Sequence, residues 1–157
     1  MDNNTYQLSK LLEGLDMVST DCSVYMHKKT LEFDVITDEN LRIYELFQSD
    51  EDRSLLDWEK DMIQTIDDIL NVHVHDYLKL PDAYEIHDHN IMENFAYTLS
   101  DHLKNEFLST VFRKGAFRRF EQLLLHYGLR QQWFDYKRKV YLDKLANWCE
   151  TQGLNYE

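Results

Sequence analysis

Apolar residues recur at helical spacing through SLLDWEKDMIQTIDDILNV, residues 54–72. Leu55, Trp58, Met62, Ile66 and Ile69 fall on one arc of a 3.6-residue period, with Ile63 and Leu70 beside them. Asp57, Lys60, Asp61, Gln64 and Asp68 fill the opposite side, so the pattern predicts an amphipathic helix. A period of two replaces it in CSVYMHKKTLEFDVITDEN, where Val24 and Met26 alternate with Tyr25 and His27. Leu31, Phe33 and Val35 then alternate with acids. This predicts two half-buried strands around a Lys28-Lys29-Thr30 turn. HDYLKLP reads as a further short strand closed by Pro81.

In the C-terminal part the helical period returns. Asp88 and Ser100 stand where N-caps are expected, for helices over about 90–99 and 101–112. Phe117, Phe120, Leu124 and Tyr127 share one face of the next helix, with Ala116 and Leu123 adjoining and Arg118 and Arg119 pointing away. The last helix, about 131–151, carries two apolar stripes. One is Trp133, Tyr136 and Val140; the other is Phe134, Tyr141, Leu145 and Trp148. Such a helix is sandwiched between neighbours or meets a partner, which makes Trp133, Phe134 and Tyr136 candidates for a partner surface.

Glycines punctuate these runs. Gly14, Gly128 and Gly153 each follow a helix-like run and precede Leu. That is the pattern of a helix closed by a left-handed residue with an apolar residue folding back, and it predicts helix ends near 13, 127 and 152. With one Pro, four Gly and no linker-like stretch, the expectation is an α+β fold. We expect a mostly helical single domain over 1–157, with a small β-hairpin or short sheet packed on a C-terminal helical bundle.

Charge changes the picture more than composition does. The chain carries −12 overall, but unevenly. Residues 32–68 hold thirteen acids against three bases, a net of −10; residues 113–144 hold nine bases against three acids, a net of +6. The whole chain should repel nucleic acid and anionic membranes at long range, whereas its C-terminal part alone need not. The start MDNNTYQLSKLLEGLDM lacks the features of a signal peptide, and no stretch reaches the roughly 18–20 apolar residues of a membrane span. The expectation is therefore a cytoplasmic chain whose Cys22 and Cys149 are free thiols.

The stretch RKGAFRRFEQLLLHYGLRQQWFDYKRKVYLDKLANWCETQGL, with IMENFA upstream, resembles the signature of the bacterial uncharacterised protein family zero-one-five-eight. The resemblance lies in the run of basic residue, Gly, Ala, Phe, Arg, Arg, Phe, in the pair Trp133-Phe134, and in Trp148-Cys149. It is specific from about residue 90 onward. In that family the hairpin turn often contains Gly, whereas here it is Lys28-Lys29-Thr30. The resemblance implies a fold and a shared surface, and no reaction.

Three functional classes follow. The first is a non-enzymatic binding or regulatory protein holding a protein partner or a second copy of itself. The second is an anion or nucleic-acid binder, with Arg113, Lys114, Gly115, Arg118 and Arg119 as ligand-binding candidates. A glycine opening a helix can offer free N–H groups, and the arginines bidentate contacts to phosphate or carboxylate. Pairing with the acidic 32–68 region is the commoner use of such cations, and nucleic acid is a disfavoured partner at −12. The third is a metal-dependent enzyme using His73, His75, His87 and His89, though no HExxH pair supports it. Asp57, Asp61 and Asp68 stand at helical spacing, more simply read as a solvated face. No G-x-S-x-G run is present and neither Cys has a suggestively spaced His. The reading therefore leans away from an enzyme and expects no cofactor, no metal and no membrane partner.

Overall fold

The computed structural model describes residues 3–49, 54–86 and 90–157. The fold is α+β and mostly helical, as expected from the pattern. The chain forms two compact units, residues 1–86 with 145–157, and residues 87–144. The first is discontinuous in sequence, completed by a segment that returns from the far end, so no linker composition marks it.

The first unit is built on a three-stranded antiparallel sheet, β2 (Cys22–His27), β3 (Phe33–Thr37) and β4 (Tyr77–Lys79), in the order β3-β2-β4. The hairpin has the predicted alternation in β2, where Val24 and Met26 are buried, and Phe33 and Val35 of β3 pair with Met26 and Val24 on the same face. Val35, predicted to face inward, is exposed; its neighbour Ile36 is buried instead. The reason is that the sheet is covered on both faces. Ile36 joins Tyr44, Ile63, Ile66 and Ile69 in one apolar cluster, with Tyr25 packed against it. On the other side helix α1 (Leu8–Leu15) lies on β2. Gly14 sits inside α1, not beyond it as predicted. A Cβ there would lie 2.3 Å from Leu80 Cδ1 and 2.6 Å from Phe33 Cε1. This glycine therefore serves close helix–sheet approach and not a left-handed helix end.

Helix α2 (Asp38–Ser49) is missing from the predicted elements. Its signal is local: Thr37 Oγ1 accepts the Asn40 N–H at 3.1 Å, the bond of an N-cap, and Leu41, Tyr44 and Phe47 follow at three-residue spacing. Helix α3 (Asp57–Asp67) covers only part of the predicted arc. Its buried positions are Glu59, Ile63 and Ile66, while Trp58, assigned to the apolar arc, is 56% exposed. Two features shift the face. The Glu59 carboxylate folds back to accept the Leu56 N–H at 3.1 Å, and the chain widens into a π-turn over Asp68–Val72, breaking the 3.6 period. A 3₁₀ turn, Val74–Asp76, leads into β4, and Pro81 is buried just after it. A short helix α4 (Ala83–Ile86) follows.

The first unit also holds a pairing that no sequence pattern announced. β1 (Thr5–Tyr6) and β5 (Asn155–Tyr156) run parallel, with Thr5 opposite Asn155 and Tyr6 opposite Tyr156.

The second unit contains α5 (Ile91–Ala96), α6 (Asp101–Val111), α7 (Ala116–Tyr127) and the first part of α8 (Arg130–Gln152). Ser100 has the extended backbone of an N-cap, though its hydroxyl makes no capping bond; Asp88 lies outside the described residues. The core is Ile91, Phe95, Ala96, Phe107, Phe120, Leu124 and Trp133. Phe95 stands at its centre, meeting Phe107, Phe120 and Trp133 edge-on at centroid distances of 6.3, 6.0 and 5.2 Å. Such edge-to-face pairs each add about 0.5–1.5 kcal/mol beyond the area they bury.

The two stripes of α8 have a simple origin. Trp133, Tyr136, Val140 and Tyr141 pack in the core of the second unit. Leu145 and Cys149 are fully buried in the stretch that belongs to the first. One helix thus serves two units with two differently turned faces. Gly128 and Gly153 do end α7 and α8 as predicted, at φ +66° and +71°. After α7, the Leu129 N–H reaches Leu124 O at 2.8 Å and the Gly128 N–H reaches Leu125 O at 3.3 Å, the paired bonds of a Schellman closure.

Candidate recognition surface

The turn between α6 and α7 places the basic run. After Val111 the chain makes one tight reversal: the Arg113 N–H reaches Thr110 O at 3.4 Å, and Gly115 takes φ +76°. Nothing would meet a Cβ on Gly115 within 4 Å, so the residue is required by conformation and not by space. Its carbonyl accepts the Arg119 N–H at 3.2 Å, starting α7 at once. Gly115 thus lets α7 begin close behind α6.

Arg113, Lys114, Arg118 and Arg119 are all exposed. Among the described residues, none of their side chains forms a hydrogen bond or ion pair. Two phenylalanines flank them. Phe112 is 78% exposed, and Phe117, assigned from the sequence to the buried face, is 57% exposed. The buried face of α7 runs through Phe120 and Leu124, whereas Phe117 stands in the first turn of the helix, largely in solvent. The cluster of cations around Gly115 was legible in the sequence; the exposure of Phe112 and Phe117 beside it was not.

On the inner flank of α7, the Tyr127 hydroxyl donates to the Glu106 carboxylate and ties α7 to α6. That hydrogen bond, more than burial, pushes the phenol upward. The surface is therefore carried on a braced helix pair.

The partner-surface candidates on α8 divide. Trp133 is 5% exposed and part of the aromatic core, which corrects its assignment to a docking face. Tyr136 is partly buried against the same core. Phe134 is half-exposed, with the Arg130 guanidinium 5.6 Å from its ring centroid.

The histidines do not assemble into one cluster among the described residues. His73 and His75 are exposed; His73 Nδ1 stands 3.4 Å from Asp76 Oδ2. His87 and His89 lie outside the described residues. His75 lines an open cleft with His27, Lys28, Lys29, Asn4 and Asp76. His27 Nδ1 accepts the N–H groups of Lys29 and Thr30, at 3.1 and 3.2 Å, so that nitrogen is occupied in shaping the turn. No group of three or more His, Cys, Asp or Glu suited to a metal ion occurs among the described residues. Both cysteines are free; Cys149 is buried, and that burial raises its thiol.

The acidic row also resolves differently from its spacing. Asp57 and Asp61 are exposed, and Asp57 lies 3.9 Å from Lys60. The residue in a network is Asp67, which accepts from the Tyr44 hydroxyl at 2.8 Å and from Asn71 Nδ2 at 2.9 Å.

Among the described residues no helix is long and apolar enough to cross a membrane. Compared with protein-family models, curated proteins and solved structures, the chain matches none of them.

Proposed function

We propose that the chain is a non-enzymatic cytoplasmic binding protein that recognises an acidic protein surface through Phe112–Arg119. The observation that carries this reading is four exposed cations with no side-chain partner among the described residues, flanked by two exposed phenylalanines and held on a turn set by Gly115. Aromatics and arginines are the residues that concentrate energy at protein interfaces, and charges around them steer and orient the partner. The proposed membership of family zero-one-five-eight fits such a role, since it brings no reaction with it.

A second reading has its own support. Aromatic rings interleaved with cations also suit single-stranded nucleic acid, where bases stack on rings and phosphates meet the cations. The −12 charge of the chain places it second.

The test is a fluorescence anisotropy titration with two probes. One is a Glu- and Asp-rich peptide containing Leu and Trp; the other is a single-stranded oligonucleotide of equal charge. Saturable peptide binding, weakened about tenfold or more by Arg118→Ala/Arg119→Ala, is the expected result. Tighter binding of the oligonucleotide replaces the first reading with the second. No binding of either probe removes both.

A further inference from the structure

The first unit carries a surface that is the chemical complement of Phe112–Arg119. Where α2 ends and α3 begins, Leu46, Leu56 and Trp58 are exposed at 49%, 61% and 56%. Glu45 is the chain neighbour of Leu46, Asp57 stands between Leu56 and Trp58, and Asp61 follows Trp58 by one turn. All three acids are exposed. Helices α2 and α3 together hold seven acids against two bases, Arg42 and Lys60, a net of −5. One surface is thus aromatic with a cationic surround, and the other apolar with an acidic surround.

The units themselves repeat the contrast. Residues 87–144 contain ten bases and seven acids, a net of +3. The remaining residues carry 22 acids and seven bases, a net of −15, which together restore the −12 of the chain. The apolar residues and the charged residues of both surfaces are exposed.

We infer that the occupant of the Phe112–Arg119 surface is a second copy of this chain, presenting the acidic, apolar end of α2 and α3. The inference rests on the recognition reading above and names its partner. An apolar centre ringed by opposite charges is the anatomy of a specific interface, and like-on-like docking of two basic or two acidic surfaces is disfavoured. The contact joins two different surfaces, so it is heterologous, and each copy offers both halves of it.

Sedimentation velocity on the full chain tests this. At about 100 μM and low salt the chain is expected to self-associate, and salt near 0.5 M is expected to weaken the association about tenfold or more. Arg118→Glu/Arg119→Glu and Asp57→Lys/Asp61→Lys should each sediment as monomers, with far-UV circular dichroism matching the parent. Mixing the two variants should restore a complex, because the intact basic surface of one meets the intact acidic surface of the other. A monomeric parent at every concentration overturns the inference, as does association that neither charge reversal disturbs. If the parent is monomeric while the acidic peptide still binds, the inference fails and the recognition reading stands. If the peptide also fails to bind, both fall.

Discussion

Leu31 holds φ +63° at the tip of the hairpin between β2 and β3, the one described non-glycine residue with a positive φ. The turn is longer than Lys28-Lys29-Thr30. It closes with the Leu31 N–H on His27 O at 2.8 Å and the His27 N–H on Glu32 O at 2.9 Å. A left-handed L-residue costs about 1–2 kcal/mol, and glycine gives back about 0.5–1 kcal/mol of that in backbone entropy. Leu31→Gly is therefore expected to stabilise the chain by about 0.5–1 kcal/mol, seen as a higher urea midpoint at unchanged slope. Gly115→Ala should move the midpoint the other way, by about 0.5–1 kcal/mol on the same balance, although nothing crowds its Cβ position. Shifts of the same sign in both variants would refute the strain argument. The missing hairpin glycine was visible in the sequence. Which residue would take the strained conformation was not, because that depends on the hydrogen bonds that close the turn.

Helices α2 and α3 are joined by a polar network at the π-turn. Asn71 Nδ2 donates to the Tyr44 hydroxyl at 2.7 Å, and both Asn71 and Tyr44 donate to Asp67. The Asn71 bond, followed by the Tyr44 bond, holds the Asp67 carboxyl below the usual carboxylate range. Burial first, and then Asp67, raises the Tyr44 phenol. The folded-state value for Asp67 lies below its unfolded value. Its contribution is present above the unfolded value, near about pH 4, and is lost as pH falls through the folded one. Asp67→Asn should therefore flatten the loss of melting temperature between about pH 4 and pH 2 relative to the parent. Equal slopes for the two proteins would remove Asp67 from the account of acid sensitivity. At this scale the helix ends at Gly128 and Gly153 could be read from local pattern, since a Schellman closure involves only about six consecutive residues. The inward face of α3 could not. Glu59 is buried because it caps its own helix, and the π-turn that rotates the following residues coincides with the Tyr44 contact across to α2.

Across the whole molecule the uneven charge is the dominant electrostatic fact. Fifteen excess negative charges in residues outside 87–144 repel one another within a single unit. Raising salt from about 0.01 M to about 1 M shortens the screening length from roughly 30 Å to roughly 3 Å. The melting temperature is expected to rise by a few degrees over that range, corresponding to about 1 kcal/mol, at protein concentrations too low for association. A fall instead would mean that attractive pairs outweigh the repulsion. The exposed ion pairs Lys10–Glu13 and Lys104–Asp101, each within one helix turn, are too screened by solvent to dominate.

By itself the chain determined what depends on near neighbours: the mostly helical α+β class, the hairpin, the ends of α7 and α8, and the separation of charge along its length. Backbone conformation and capping are decided within about four to six residues, so those features are written locally. Tertiary structure alone decided which apolar faces are covered. It buried Trp133 and Ile36, left Trp58 and Phe117 in solvent, gave α8 two units to serve, and paired Tyr6 with Tyr156. It also left the four cations of Arg113–Arg119 without partners among the described residues. Burial and pairing are set by residues distant in sequence, and a periodic pattern shows that a face is apolar without showing what meets it.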